Sequence, residues 1–386
     1  MKKFMAFLLV LALVLVGVVA YRSNSGSSTE NPSASGTEQP TPGTTATKKP
    51  EETPSVKPSE EPGTEPGTEP SEDPVVKPSE DPGEDSQKIT VRLGVISGPT
   101  GIGAAKLLSD AQKGETVNRY EYTIAADNTE LVPALTNNEV DIATVASNVA
   151  LNLYNKTDGA IRIIALGTQG VLHILEGSGG TMVESLEDLA GETVYAVGQG
   201  ANPEYILRYL LEERGLNPDE DVEIVFAQPE EIQAKLLSGE IKYAMLPVPA
   251  ATAVILKSGG QVRAAVDLTE VWEESGSGSQ LIMTAVVART EFIESNPKAV
   301  QAFLKEYEAS IKFVNENVDE AAEMIAGFGI TPNAAIAKQA IPQCHLIFIS
   351  GRNMARSISD YFRVLYSVNP ASVGGVLPDD AIYYVP

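Results

Sequence analysis

The stretch Val91-Arg92-Leu93-Gly94-Val95-Ile96-Ser97-Gly98-Pro99-Thr100-Gly101-Ile102-Gly103-Ala104-Ala105-Lys106-Leu107-Leu108 constrains the fold of this chain more than any other. It reads as a buried strand, a tight turn and a helix, in that order. The apolar run up to Ile96 is the strand, and Ser97-Gly98-Pro99-Thr100 is the turn. Gly98 lets the backbone bend, Pro99 fixes φ, and Thr100 stands where it can cap the helix carrying Ala104, Ala105, Leu107 and Leu108. Such a turn leaves backbone N–H groups at the positive end of a helix, where anionic or acceptor-rich groups bind. The glycines do not make a nucleotide site. Gly98, Gly101 and Gly103 do not fit G-x-G-x-x-G, and Ala104-Ala105 stand where a phosphate loop needs Lys followed by Ser or Thr. A plainer role for them is close packing of helix on strand.

The same alternation continues along the chain. Expected strands at 121–126, 141–145 and 162–166 alternate with helices at 129–137 and 149–155, and a strand at 171–175 then crosses out. A second series follows, with strands at 193–197, 222–227, 243–246 and 262–267 and helices at 204–214, 230–237 and 250–257. The run Leu281–Arg289 reads as a strand returning to the first series, and long helices follow it. Alternation of this kind predicts an α/β fold of mostly parallel sheets covered by helices on both faces. Two series joined by crossing strands predict two lobes, the first made of residues 88–184 and 290–386 and the second of residues 185–289.

In open α/β sheets a ligand binds outside the carboxyl ends of the strands. In the first lobe those positions hold Ser97, Gly98, Thr100 and Gly101, then Asn128, then Ser147 and Asn148, then Gln169. In the second they hold Gln199, Gly200, Ala201 and Asn202, then Pro247. Thr100 and Asn202 are also placed to cap helices, with Pro203 at a first helical position, while Pro247 and Pro249 suit shaping of their loop. All of these are hydroxyls, amides, glycines and small residues. They form hydrogen bonds and are not general acids, bases or nucleophiles, so no catalytic residue, metal ligand or cofactor is assigned.

Other chemistry-bearing residues read as structural. His173 and His345, the only histidines, lie on or beside apolar strands with no further ligand at a metal spacing. Cys344 is the only cysteine, so no intrachain disulfide forms, and burial is its expected role. Trp272 precedes the flexible run Glu273-Glu274-Ser275-Gly276-Ser277-Gly278-Ser279, which is either a lid over the cleft or a loop with one apolar anchor. Glu204, in the first turn of a helix, is explained by the helix dipole.

The residues before Lys88 have a different character. Lys2-Lys3 precede an apolar run from Met5 to Tyr21, the pattern of a secretory signal over residues 1–20 or of a retained membrane anchor. Residues 21–87 are a linker rich in Pro, Glu, Ser and Thr that holds 12 of the chain's 25 prolines and cannot bury a core. Val56-Lys57-Pro58-Ser59-Glu60 recurs within it as Val76-Lys77-Pro78-Ser79-Glu80. At about 3.1 Å per residue it can reach on the order of 200 Å, enough to carry a domain away from a membrane. From Lys88 to Pro386 there are 21 basic and 38 acidic residues, a net −17 within a total of −24, and no basic patch. That balance excludes nucleic acid as a partner.

The signal, the linker and Leu93–Gly101 resemble the start of a solute-binding protein of an ABC importer. Ser185-Leu186-Glu187-Asp188-Leu189-Ala190-Gly191-Glu192-Thr193-Val194 is similar to the opening of the second lobe in the type II periplasmic-binding-protein superfamily. Gly198–Leu207 and Ala244–Pro249 resemble its nitrate/sulfonate/taurine and thiamine-precursor branch, and Ala340–His345 and Pro378–Tyr384 resemble a Gram-positive subgroup. The lipid-anchoring cysteine usual in that subgroup is absent, which favours secretion or a peptide anchor at the cell surface. The resemblance implies a two-lobed periplasmic-binding-protein-like fold that closes on a small solute and docks to a membrane permease as a monomer. Two other classes use the same frame: biosynthetic enzymes of the menaquinone and pyrimidine-synthase kinds, and extracellular ligand sensors. The synthase needs clustered cysteines, which this chain lacks. No arginine stands at any of the turns named above, so a sulfonate or nitrate lacks its usual partner, while helix N-termini alone can still hold an anion; a neutral or aromatic heterocycle is the other expectation.

Overall fold

The computed structural model describes Lys88 to Pro386; the expected export segment and linker lie outside the described residues. The chain runs through β1 (Thr90–Ile96), α1 (Pro99–Ile102), α2 (Ala105–Lys113), β2 (Arg119–Ala125), α3 (Asn128–Thr136), β3 (Ile142–Ala146), α4 (Ser147–Lys156), β4 (Ile161–Thr168) and β5 (Leu172–Glu176). It continues through β6 (Thr193–Ala196), α5 (Asn202–Glu213), β7 (Glu223–Phe226), α6 (Pro229–Ser238), β8 (Tyr243–Pro247), α7 (Ala250–Lys257), β9 (Arg263–Asp267) and α8 (Leu268–Glu274). It then forms β10 (Thr284–Arg289), α9 (Thr290–Ser295), α10 (Pro297–Glu316), α11 (Val318–Gly327), α12 (Ala334–Ala340), β11 (Leu346–Ser350) and α13 (Gly351–Val368), followed by a tail.

Two sheets result. One has the order β11-β4-β10-β3-β1-β2 and the other β7-β6-β8-β5-β9. In the first, β1 runs parallel to β2 and β3, while β10 is antiparallel to both β3 and β4. In the second, β6 runs parallel to β7 and β8, while β5 is antiparallel to β8 and β9. Both sheets are mixed, where the strand–helix alternation predicts mostly parallel ones. The strands that run against the rest are the crossing strands β5 and β10 and the edge strand β11. Each crossing strand enters the far sheet against the local direction because it arrives without a crossover helix of its own.

Sheet membership shifts the changeovers from their expected positions. β5, within the expected first-lobe segment 88–184, is a strand of the second sheet, while β10 returns to the first sheet as the run 281–289 was read to do, ahead of the expected second-lobe bound at 289. The chain therefore changes sheets between Thr168 and Leu172 and again between Asp267 and Thr284. β11 was not placed in either series, though it is the apolar strand that His345 was read to lie on or beside.

The helices have ordinary sequence causes. α2 ends where Gly114 takes the left-handed conformation at φ 74°. α10 buries Val300, Phe303, Leu304, Tyr307, Ile311 and Val314, one helical stripe that covers the first sheet and α2. α13 buries Met354, Ile358, Tyr361, Phe362 and Leu365 and packs on β4 and β11 of the first lobe and on α5 of the second. One apolar core is therefore continuous across both lobes, running from Val145 and Leu166 through Tyr361 to Trp272 and Leu210. The tail straps the first lobe: Asn152 Nδ2 donates to Ser372 O at 2.6 Å and Asn155 Nδ2 to Val373 O at 2.9 Å. No helix among the described residues is long and apolar enough to cross a membrane.

Charge holds one end of the first sheet together. Asp141, at the start of β3 and 3 % exposed, accepts from Arg92 Nε of β1 at 2.9 Å and from Arg289 Nη2 of β10 at 2.8 Å. Burial pushes its carboxyl up, but the bonds from Arg92 and Arg289 outweigh burial and hold its pKa below the ordinary value. A depressed folded-state pKa stabilises the protein fully above the unfolded value of about 3.9, and that contribution is lost as pH falls through the folded value. Asp141→Asn is expected to cost about 3 kcal/mol at pH 7 by leaving two guanidinium groups without their anion. Urea denaturation at pH 7 and pH 3 checks this, since the difference from the native chain should shrink at the lower pH.

Candidate functional site

The turn after β1 forms the first wall. Ser97 N donates to Ala125 O at 2.9 Å, and Gly98 N donates to Ile330 O at 3.1 Å. Gly98 has φ 82° and is itself the N-cap of α1, with Pro99 next to it. Thr100 is therefore not the cap that its sequence position suggests; it is the second residue of α1, half-buried, and the helix carrying Leu107 and Leu108 starts after Ala104. Gly101 is buried, and a Cβ there would come 2.3 Å from Ile96 O. Its hydrogen atom is needed for α1 to lie against β1, and packing accounts for it without a ligand. A Cβ on Gly98 would meet Pro249 Cδ of the second lobe at 4.0 Å, so the two lobes approach each other at this turn.

The next two turns of the first lobe are tied together. Asn128 Oδ1 accepts from Ala146 N at 3.1 Å, joining the turn after β2 to the turn after β3. Ser147, the first residue of α4, is fully buried. Its hydroxyl donates to Ile282 O at 2.6 Å and its backbone N to Met283 O at 3.0 Å, so the returning segment from the second lobe fixes it. Gln169, on the outgoing segment, donates its N to His345 O at 3.1 Å.

The second wall is the turn after β6. Gln199 and Gly200 are exposed, and Ala201, in an extended conformation, is the N-cap of α5. Asn202 is thus the first helical residue and not the cap expected. Its side chain crosses between the lobes instead: Nδ2 donates to Ser147 Oγ at 3.0 Å, with Asn202 1 % exposed. Glu204 Oε2 accepts from Gly200 N at 2.7 Å, and its Oε1 pairs with Arg208 at 2.8 Å, so the dipole role read for Glu204 is the one its contacts satisfy. Pro247 ends β8 half-buried, paired with Leu172 of β5.

Three buried polar atoms around the Ser147–Asn202 contact have no partner among the described residues: Asn148 Oδ1, Asn202 Oδ1 and Tyr361 Oη. Tyr361 stands beside Ser147, and burial pushes its phenol well up, with Ser147 offsetting part of the rise. Thr252 Oγ1, in the first turn of α7, is a fourth buried atom without a partner. Neither Thr252 nor Tyr361 was among the sequence candidates. Thr252 follows the Pro247–Pro249 loop by three residues and was within reach of the same argument. Tyr361 lies on an amphipathic helix, where nothing local separates it from a core residue.

A groove of about 530 Å³ opens beside this contact, lined on the first lobe by Asn128, Val132, Asn148 and Leu153 and on the second by Gly200 and Ala201. Four of the sequence-derived candidates thus share one concavity that both lobes build. A cavity of about 590 Å³ at Lys88, Gly114, Arg119 and Tyr120 lies at the amino ends of β1 and β2, away from this chemistry.

The remaining candidates are structural. Trp272 is fully buried, its Nε1 donates to Ser279 O at 3.0 Å, and its ring lies 5.0 Å from Tyr209 and 5.5 Å from Tyr361. It anchors the glycine-serine loop from within the core and does not cover the cleft. Burial holds His173 below its ordinary pKa and raises that of Cys344, so at neutral pH the imidazole and the thiol are both uncharged. His345 Nδ1 lies 2.7 Å from Gly170 O, on the outgoing segment. Among the described residues no three His, Cys, Asp or Glu side chains converge to hold a metal.

Residues 86–327 match the model of the NMT1-like family. No curated protein matches the chain. Solved structures share its fold. One is described as an ABC transporter from Parabacteroides distasonis, 22 % identical, with a TM-score of 0.66 over 77 % of this chain and 99 % of that one. The periplasmic aliphatic sulphonate binding protein SsuA of Escherichia coli is 15 % identical, with a TM-score of 0.62 over 77 % of this chain and 92 % of that one. The alkanesulfonate-binding protein SsuA of Xanthomonas axonopodis pv. citri, bound to MOPS, is 13 % identical, with a TM-score of 0.56 over 75 % of this chain and 94 % of that one. The two-lobed α/β fold is thus of the periplasmic-binding-protein type.

The glycines of the two walls should respond differently to substitution. Gly101→Ala drives a Cβ into the backbone of β1 and is expected to cost about 2 kcal/mol of stability. Gly200→Ala meets no atom within 4 Å and has only its φ of 71° to strain, a cost of about 1 kcal/mol. Chemical denaturation of the two variants measures both, and equal losses would remove the packing role assigned to Gly101.

Proposed function

The chain belongs to the NMT1-like family, and on that premise we propose that it is the extracytoplasmic solute-binding component of an ABC importer. In this reading it takes up a small solute between its two lobes and delivers it to a membrane permease. The observation that supports it most directly is the meeting of α4 and α5 at Ser147 and Asn202, since the two helices belong to different lobes and each presents its N-terminus. The lobes are best divided at the sheet changeovers, near Gln169 and near Ile282. Between these crossings the second lobe can swing as a unit, and a solute contacting both walls stabilises the shut form.

The solute contacts in this reading come from Ser97, Gly98 and Thr100 on one wall, from Asn128, Asn148 and Gln169 beside it, and from Gln199, Gly200, Ala201 and Asn202 on the other. Ser147 positions Asn202, Gly101 packs, and Pro247 shapes its loop. No residue of this set is a nucleophile or a general acid or base, which favours capture over catalysis. Export fits the apolar segment and long spacer before Lys88, and a monomer suffices because both walls come from one chain. No cofactor enters this function.

A ligand that binds only the folded chain at about 100 times its Kd adds about 2.7 kcal/mol of stability. Thermal unfolding of the full chain against a panel of sulfonates, nitrate, pyrimidines, vitamins and amino acids is therefore expected to show a rise with at least one member. Turnover of a panel compound, with none raising the melting temperature, would favour an enzyme on the same fold.

A further inference from the structure

We propose that Val248 is an apolar latch: carried on the second lobe, its side chain seats in the core of the first and biases the two lobes toward the shut form. The proposal rests on the hinge reading above, in which the second lobe swings as a unit, and names the contact that sets its resting position.

The assignment follows from which core each side chain joins. Val248 comes directly after β8, a strand of the second sheet, and is fully buried. Leu246 before it and Ala251 after it join the second lobe's own apolar cluster, with Leu236 and Val254. Val248 does not. It belongs to the cluster that holds Leu93, Ile102, Ala337 and Ile341 of the first lobe, and among the described residues no other buried side chain of the second lobe does. Pro247 and Pro249 fix φ on either side of it, and Val248 N donates to Val171 O at 2.9 Å. The loop shaping expected of the two prolines thus has a consequence: it holds the Val248 side chain away from its own lobe.

The socket is built from separate parts of the first lobe. Gly98 N donates to Ile330 O at 3.1 Å, which ties the turn before α1 to the segment between α11 and α12. A Cβ on Gly98 would come 4.0 Å from Pro249 Cδ, and α12 packs on α7, the helix that Pro249 caps. The side of the sheet matters as well. Ala285 and Val287 of β10 join the cluster that reaches Trp272, whereas Val286 and Ala288 join that of Val248, so the two lie on opposite faces of the first sheet. The first link between lobes is shared among α13, α8 and α5. The second crosses on one side chain. The second lobe cannot swing away from α12 without drawing Val248 into water, which is unfavourable for a buried apolar group. A shut form favoured in advance leaves less for a solute to do, so the latch raises affinity without touching the solute.

The test measures the distance between the lobes of the full chain by double electron–electron resonance, with nitroxides attached at Lys113→Cys and Lys257→Cys. Both lysines are exposed and end α2 and α7, and the native Cys344 is buried out of reach of the label. The native chain is expected to show one short distance. Val248→Ser should add a longer one, raising the open-to-shut ratio about tenfold, the preference of one Val side chain for burial. Val248→Ala should shift the ratio the same way by less, and it decides the matter where the serine variant does not fold. Leu246→Val, which thins the second lobe's own core, should lower the melting temperature and leave the distance unchanged. Unchanged distances in the Val248 variants, or the same lengthening in Leu246→Val, overturn the latch. A native chain already spread over short and long distances overturns it too. Each of these failures leaves solute capture standing, to be decided by the thermal panel.

Discussion

One hydrogen bond, from Asn202 Nδ2 to Ser147 Oγ, joins the lobes at the point on which the site depends. Neither residue is free to move alone. Ser147 is bonded by side chain and backbone to Ile282 and Met283, which belong to the segment bringing the chain back from the second lobe. The position of the first wall is thus set by the path of the return crossing, and the second wall meets it there. A buried polar pair of this kind contributes little net stability, about 1 kcal/mol. It fixes geometry instead, because any other arrangement leaves more polar atoms unpaired.

The crossings themselves are tightly held. His345 fastens the outgoing segment twice, accepting from Gln169 N with its backbone oxygen and bonding Gly170 O through its ring. Gly170 admits no side chain, since a Cβ would lie 2.2 Å from Thr269 Oγ1. A third link is α13, whose Tyr361 packs on Trp272 of α8 while its neighbours cover β4 and β11. His345 and the chain's only tryptophan are therefore spent on the junction between lobes, where the core is continuous.

The α/β class and the two series of turns were legible because period and turn chemistry are local signals. What could not be read was which turn residues face a ligand and which face the protein. Thr100 loses the cap to Gly98 because Pro99 already occupies the start of α1, a distinction of two residues. Gly101 looks the same in sequence whether it admits a ligand or a neighbouring strand, and only the 2.3 Å approach of Ile96 O decides. Asn202 and Ser147 were both named, but their pairing spans 55 residues and depends on two sheets folding first. The crossing strand β5 was recognised, yet its sheet was not, because an apolar strand between two lobes reads alike in either.

The fold is shared with sulfonate-binding proteins at 13–15 % identity, a level at which side chains at the site are free to differ completely. What the fold fixes is the placement of helix N-termini at the carboxyl ends of strands. What the side chains fix is whether those termini stay open to a ligand. Here Asp127 and Asp267 cap α3 and α8 through Thr129 N and Thr269 N, while α4 and α5 start from Ala146 and Ala201 with no side-chain cap. Capping and anion binding compete for the same donors, and the two helices that meet at Ser147 and Asn202 leave theirs uncapped by side chains. The amide oxygens of Asn148 and Asn202, buried without a partner among the described residues, belong to the first turns of the same two helices.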